Sequence, residues 1–489
     1  MRPPPIATPD DAHRRMLELY RSASPEEQLA FAKVELATSP CSLFPVFVEA
    51  ELRPLLAHAT EQLAGAIERV GRAFFEDPRV AQELEVPPRF LFHARLNPGY
   101  ARTSVVTRMD GILDATTGAF KFLEFNCDDP SGMGTYTGLL ELLPQSPLYA
   151  ALASGGSFAT DRLVGHFATA LRRAMGEYNR SRGRAPDAPL ALALLVDRQG
   201  PLANDHNLIA RHLEAEGLHA FCAGPEELVL DGDRLTARGR PIDFAYRDDV
   251  TAYLRTRPAA DRPARLRERL LQAADELGAR SPAADRALSR LYLGRGPHAL
   301  VQAYRRGTVG VVNPFRAHVV DLKAVMAVMQ SEEHRHLFTD AQHEAIARHV
   351  PWTRIVRPEA VLFEGQRVPL VGLLRENRTR FVLKPDAGCG GEGVVVGQGV
   401  DEPTWAAALA LAQEPGQRYV AQEYVPMRED ERPTVRKDAS LFVGPQRVNV
   451  NTWAFDGAFG GAYARAAADF VVNVSKGGRF APLVYVGGA

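Results

Sequence analysis

Cysteine is scarce in this sequence of 489 residues: Cys41, Cys127, Cys222 and Cys389 lie far apart and form no CxxC pair or metal-ligand spacing. That usage argues for a reducing cytoplasm rather than a disulfide scaffold. Long hydrophobic runs are missing too, with no stretch of about 18 apolar residues to span a bilayer. Excess charge of either sign is absent, since 58 Lys+Arg against 59 Asp+Glu leave a net charge of −1. Such a balance gives no electrostatic footprint for nucleic acid or an anionic membrane. The first residues, MRPPPIATPDD, lack the basic-then-apolar order of a leader peptide. The expectation is a soluble cytoplasmic protein that works on small molecules. The rest of the composition is ordinary for a globular chain, 46% hydrophobic and 24% charged, and the length suggests two or three domains or subdomains.

The first hundred residues read mainly as helix. Leu17, Tyr20, Leu29, Phe31 and Val34 fall at helical spacing, and a longer apolar-periodic run extends from about Phe47 to Phe75. Asp77-Pro78 and Pro87-Pro88 interrupt it. From Thr103 the pattern alternates: TSVVTRMDGILD, a turn at Thr117-Gly118, then FKFLEFN reads as a β-hairpin. A helix near Asp161 to Tyr178 precedes a linker rich in Pro, Arg and Ser. Residues 190–250 read as a small α/β unit with parallel strands, and a hairpin is expected around Asp231-Gly232. Residues 257–290 read as a charged surface helix. The last third is mixed, with a helix near Val320 to Met329, strands near Arg380 to Lys384 and Tyr419 to Tyr424, and hairpins after Thr434.

Three segments carry chemistry. In RFVLKPDAGCGGEGVVVG a strand delivers Lys384, and a loop with Gly388, Gly390, Gly391 and Gly393 returns into a second strand. Glycines let backbone N–H groups approach phosphate oxygens, and the lysine supplies a point charge. The loop is neither a Walker A loop nor a GxGxxG turn, because it joins strand to strand and its lysine comes first. A plain glycine-rich hairpin is the competing reading. In YVAQEYVP, the side chains of Gln422 and Glu423 and the backbone of Tyr424 and Val425 are placed to meet an adenine edge; an ordinary sheet strand is the alternative. Lys323 opens a helix with an apolar stripe, as a phosphate ligand or a surface lysine. In TRMDGILDATTGAFKFLEFNCDDP, Asp110 and Glu124 fall on neighbouring strands, and Glu124 and Asn126 share one face. Two carboxylates and an amide oxygen suit Mg²⁺, and Arg108 points the same way toward a phosphoryl group; a solvated strand face is the alternative.

Together these segments resemble the circularly permuted ATP-grasp ligases, the group that includes glutathionylspermidine synthase-type amide ligases. In ordinary ATP-grasp enzymes the lysines and glycine loop precede the metal ligands; here the order is reversed. The resemblance, over roughly residues 100–489, implies that Arg108, Asp110, Glu124, Asn126 and Asp128 match the family's Arg-x-Asp and Glu-x-Asn-x-Asp pattern. Asp110, Glu124 and Asn126 are its magnesium ligands. It implies Lys323 and Lys384 for the nucleotide, KPDAGCGGEG as the phosphate-covering loop, and Gln422 to Val425 as the adenine hinge. NTWAFDGAFGGAYARAAADFVVNVSKGG resembles the closing hairpin, with Arg465 beside the transferred phosphoryl group and Asn473 opening a turn. IDFAYRDD and HVPWTRIV look like connecting motifs, and Arg247, Asp128 and Asn473 are candidate substrate contacts.

The implied fold is α/β (α+β), a circularly permuted ATP-grasp core with a helical N-terminal region and a small Rossmann-like unit. Its expected divisions are 1–100 (helical, packing on the core), 101–150 (metal-binding part), 151–310 (α/β substrate side) and 311–489 (nucleotide-binding subdomains). The implied activity is an ATP- and Mg²⁺-dependent coupling of a small carboxylate to an amine through an acyl phosphate, on an amino acid or peptide. The alternatives are coupling to a thiol or hydroxyl, phosphorylation alone, or a nucleotide-binding module without chemistry. A longer hairpin turn accounts for the wide gap from Asp110 to Glu124. No match to the family's glutathione-contacting residues or amidase domain is found, so the chemistry is better supported than the substrate. His336 and His343, in EEHRHLFTDAQHEAIARH, stand a heptad apart without HExxH and read as a solvated helix face rather than a metal site.

Overall fold

The computed structural model describes residues 6–36, 39–86, 88–198, 200, 203–248, 294–388, 390–435 and 440–487. The charged helix expected at 257–290 lies outside the described residues. No described helix is long and apolar enough to cross a membrane.

The largest sheet has eight strands, and its centre is the site-bearing part of the chain. In spatial order it runs Val34–Leu36, Ser39–Cys41, Arg479–Ala481, Ala458–Ala467, Leu441–Phe455, Val106–Leu113 and Phe120–Asn126, with Glu429–Val435 paired to the long Leu441–Phe455 strand. The alternating segment at 103–126 is thus a hairpin whose first strand pairs antiparallel with a strand some 340 residues later in the chain. Short strands at 34–36, 39–41 and 46–49 also tie the mainly helical first hundred residues into two sheets.

One face of this sheet is covered by the helix Leu52–Glu76, whose Leu56, Leu63, Ile67, Val70 and Phe74 are buried at helical spacing. The Thr60 and Thr452 hydroxyls meet across the contact at 2.9 Å. Asp77 ends the helix and caps the next one, Pro78–Leu84, by accepting from the Arg79 amide. Because strand side chains alternate, the residues beside Thr452 are turned to the opposite face.

A second, four-stranded sheet is fully parallel in the order Gly310–Val312, Phe244–Arg247, Leu192–Leu195, Ala220–Ala223. Its Leu192–Leu195 strand is buried at every position, as expected when helices cover both faces. The hairpin expected at Asp231-Gly232 forms between Leu228–Asp231 and Arg234–Ala237.

A third sheet, in the order Thr353–Ile355, Tyr419–Glu423, Phe381–Pro385, Val395–Val396, carries its own core of Phe381, Leu383, Leu374, Trp405 and Leu409. The other two cores each draw residues from the first hundred positions, the α/β unit and the C-terminal hairpin. Asn313, fully buried, ties these parts together. Its Oδ1 accepts from the Val105 and Val106 amides at 2.8 and 2.9 Å, and its Nδ2 donates to the Val106 and Cys127 carbonyls at 2.7 and 2.8 Å. One amide thereby holds both ends of the 106–126 hairpin.

Candidate active site

Residues paired directly across antiparallel strands share a face, so register alone defines a polar floor on the front of the large sheet. Glu124 pairs with Asp110, Asp110 with Asn451, and Asn451 with Tyr463. The next rung runs Asn126, Arg108, Trp453, and on the other side Asn449 pairs with Arg465. A bulge falls between Asp110 and Gly111. A Cβ on Gly111 would stand 2.5 Å from the Phe120 ring and 2.9 Å from the Lys121 carbonyl, so glycine lets the bulge close.

Asp110 is the electrostatic centre of the floor. Arg108 donates from Nε and Nη2 to its two oxygens at 2.7 and 3.2 Å, and Arg465 donates from Nη2 at 2.6 Å. Burial alone would raise the Asp110 carboxyl; the two guanidiniums outweigh it and hold it below the ordinary value. Arg465 therefore pairs with Asp110, not with the sequence neighbour Asp469.

Facing this floor is the small sheet. Val382 pairs with both Gln422 and Val396, and Lys384 lies two residues from Val382, so these side chains share the front face while Phe381 and Leu383 fill the core behind. Lys384 Nζ donates to the Leu123 carbonyl at 2.9 Å and to Gln422 Oε1 at 2.6 Å. Burial lowers its pKa to about 8; Glu124 and Asp110 oppose that shift and Lys323 adds to it. Lys323 Nζ stands 3.4 Å from Glu124 Oε1 and donates to the Gly388 carbonyl at 2.6 Å. Asp386 fixes this lysine, accepting from the Ala324 amide at 2.8 Å and from Arg418 at 3.0 Å.

Between the two sheets lies a narrow cleft, with Asp110, Glu124 and Lys384 at one end. Ile112, Leu123 and Val472 on the large-sheet side and Val382, Val394 and Val396 on the small-sheet side give it an apolar lining. At its edge the Tyr424 carbonyl and the Val425 amide have no hydrogen-bond partner among the described residues, leaving one acceptor and one donor on the strand edge. The Gln422 side chain is committed to Lys384 and to the Thr353 hydroxyl, and Glu423 pairs with Arg380, so neither side chain is turned to that edge as expected.

The glycine loop lies over the Lys384 end of the cleft, where Gly391 lines it and the Gly388 carbonyl accepts from Lys323. Gly390, Gly391 and Gly393 all have positive φ, and a Cβ on Gly391 would stand 2.6 Å from the Val471 side chain. The Gly390 carbonyl accepts from the Ser475 hydroxyl at 2.7 Å. Asn473 caps that turn by accepting from the Ser475 amide, and it lines the cleft.

Asp128 and Arg247 take a different position from that expected of substrate contacts. Both are fully buried and paired with each other, Arg247 also donates to the Asn313 carbonyl at 2.7 Å, and neither lines the cleft. Their geometry is that of a structural ion pair locking the hairpin end to the parallel sheet. Residues that the motifs do not single out include Asn449, whose Oδ1 accepts from the Arg465 amide and from Asn451 Nδ2, both at 3.0 Å, and the apolar wall at Phe470 to Val472. The N-x-N alternation in RVNVNTWAF was the available signal.

The oxygens on the floor fit a hard cation. Asn126 Nδ2 is turned to the Arg108 carbonyl at 3.5 Å, which leaves Oδ1 as its ligating end; Glu124 is only partly buried; and the buried Asn451 Oδ1 has no partner among the described residues. No three His, Cys, Asp or Glu side chains form a metal cage among the described residues. Two carboxylates and an amide are nevertheless the sparse oxygen set that Mg²⁺ takes when phosphates and water complete its shell.

No protein-family model and no curated protein matches the sequence. Among solved structures, the chain is similar to a glutathione synthetase-like effector from Globodera pallida in its apo form, at 13% identity over 98% of each chain with a TM-score of 0.54. The two share a mixed α/β fold. A protein of Methylobacillus flagellatus KT assigned as a gamma-glutamylcysteine synthetase overlaps 87% of this chain and 88% of its own at 12% identity, but its TM-score of 0.38 carries no argument.

Proposed function

We propose that this chain is an ATP-dependent ligase with an ATP-grasp site in circularly permuted order, joining a carboxylate to an amine. The observation that carries this reading is the meeting of two distant segments. Hard oxygens on the 106–126 hairpin and the lysines and glycine loop at 323–393 line one cleft, with Lys384 resting on the Leu123 carbonyl.

In this reading the adenine occupies the valine-lined slot, with the Tyr424 carbonyl and Val425 amide at its edge. Lys323, Lys384 and the loop amides neutralise the phosphates. Asp110, Glu124 and Asn126 would hold Mg²⁺, and the positive charge it would supply there would offset that of the phosphates. A carboxylate oxygen of the substrate attacks the γ-phosphorus, the bond to the β–γ bridging oxygen breaks, and ADP leaves. The amine nitrogen then attacks the acyl carbon and loses a proton as phosphate departs. Arg465 and Arg108, anchored on Asp110, stabilise charge that develops during transfer. No side-chain nucleophile is required. The closed glycine loop, latched by Ser475, excludes water from the acyl phosphate.

The test is an ADP-release screen of carboxylic acids against a panel of amines, with mass spectrometry of the products. Amide product together with ADP supports the reading. ADP release with only a hydroxamate, when hydroxylamine is the trap, assigns the acceptor to another class. No ADP release with any acid, in protein that also fails to bind ATP, removes the ligase reading altogether.

A further inference from the structure

A second, larger and more open cleft is lined by Glu423 and the segment Tyr424–Pro426 that follows its strand. It is built largely from the two segments that the ligase chemistry does not use. Glu332, Arg335 and His343 come from EEHRHLFTDAQHEAIARH, and Trp352 and Arg354 come from HVPWTRIV. Lys121 of the hairpin closes one end.

Arg354 is the unusual group in this cleft. Its Nη1 donates to Gln330 Oε1 at 3.1 Å and to the Thr353 carbonyl at 2.7 Å, and its guanidinium carbon lies 4.9 Å from the centre of a Trp352 ring. Gln330 is itself held by donating to the Val350 and Pro351 carbonyls, both at 3.0 Å. The guanidinium is thus oriented and partly desolvated; Glu83 and Glu332 act on it at longer range, but no carboxylate pairs with it within 4 Å among the described residues. Its Nε and Nη2 have no partner among those residues and remain available to the cleft. Lys121 and Arg335 likewise have no carboxylate partner there; Lys121 Nζ donates only to the Arg348 carbonyl. Three acids also line the cleft: Asp114 accepts within its own turn and Glu423 pairs with Arg380, both act on Lys121 at longer range, and Glu332 acts on Arg354. A planar guanidinium held on one edge and open on the other is suited to a bidentate oxyanion.

We propose that this cleft is a second small-molecule site, for an organic anion whose carboxylate or phosphate sits on Arg354, and that its occupancy changes nucleotide affinity. Glu423, Tyr424 and Val425 line both clefts, so an occupant of one side bears on the strand edge presented to the other. The binding claim stands alone; the coupling claim rests on the nucleotide reading above. Coupling of this kind is reciprocal, so ATP changes the anion's affinity by the same factor.

Calorimetry on the full chain, with succinate and separately with inorganic phosphate, tests the binding. Millimolar binding of at least one is expected, weakened roughly tenfold or more by Arg354→Gln or by Lys121→Gln and unaffected by Lys384→Ala. The better of the two probes identifies the anionic group. Unaltered melting of Lys121→Gln, on a different wall from Arg354, shows that loss of binding is not loss of fold. Absence of binding by both anions, indifference to both cleft variants, or loss of binding in Lys384→Ala would each overturn the site. ATP affinity is then measured with and without saturating anion. A change of about threefold or more supports the coupling, and an unchanged value refutes it while leaving the site intact. A protein that binds the anion but no ATP refutes the nucleotide reading alone.

Discussion

Lys384 links the nucleotide reading to a measurable proton. Burial brings its pKa down from 10.5 to about 8 in the free protein. That fall corresponds to about 3 kcal/mol between its two protonation states. A polyphosphate bound beside the ammonium favours the charged form and raises the pKa again. Below pH 8 the lysine is charged in both free and bound protein, so ATP affinity is flat. Above it the free protein loses the proton and the complex keeps it, so binding takes up a proton. Affinity then falls roughly tenfold per pH unit. Calorimetry near pH 9 in two buffers of different ionisation enthalpy is expected to show uptake of about one proton, and near pH 7 essentially none. Lys384→Arg removes the slope, because a guanidinium stays charged throughout. Affinity that stays level through this range, or a slope that survives in Lys384→Arg, would refute the assignment. The stability corollary has the opposite sign. Between pH 8 and 10.5 the unfolded chain holds more protons than the folded one, so stability of the free protein rises with pH across that window.

Glu124→Gln and Asn126→Ala are each expected to reduce ADP formation about a thousandfold or more while far-UV circular dichroism stays unchanged; normal turnover in either removes the metal assignment. Arg465→Ala should lower kcat much more than ATP affinity, because its partner is charge that develops during transfer, and equal losses in both would assign it to bracing Asp110. Asp128→Ala takes a buried carboxylate away from the Arg247 guanidinium and should cost about 3–5 kcal/mol in chemical denaturation. A loss under 1 kcal/mol would mean that the pair carries little of the fold.

Features that depend on local alternation were the legible ones. The 106–126 hairpin, the strand carrying Lys384 and the parallel α/β unit follow from period-two patterning and turn residues, and they form where expected. The grouping of Asp110, Glu124 and Lys384 in one cleft needed the family resemblance, because no local pattern links residues some 270 positions apart. What stayed hidden was set by pairing at a distance. Arg247 reads as a candidate substrate contact by resemblance, and its sequence neighbourhood says nothing of its pairing with Asp128, 119 residues away. Gln422 was assigned to an adenine edge, but its register opposite Val382 turns it to Lys384. Asn449 and Asn451 were legible as a strand face only once that strand was known to lie beside Asp110.

The Asn313 node has a consequence for how variants of this protein are interpreted. Replacing it with alanine takes the side-chain acceptor from the Val105 and Val106 amides and one donor from the Val106 and Cys127 carbonyls, which keep the Ser104 hydroxyl, and replacing it with aspartate sets a carboxylate against those carbonyl oxygens. Either change loosens both ends of the hairpin that bears Asp110, Glu124 and Asn126. A selection that scores growth or product alone would therefore rank Asn313 with the reacting residues, although its side chain bonds only to backbone groups. Scoring cellular abundance alongside activity separates the two kinds of position: Glu124 variants persist at full level without product, whereas Asn313 variants are cleared by proteolysis.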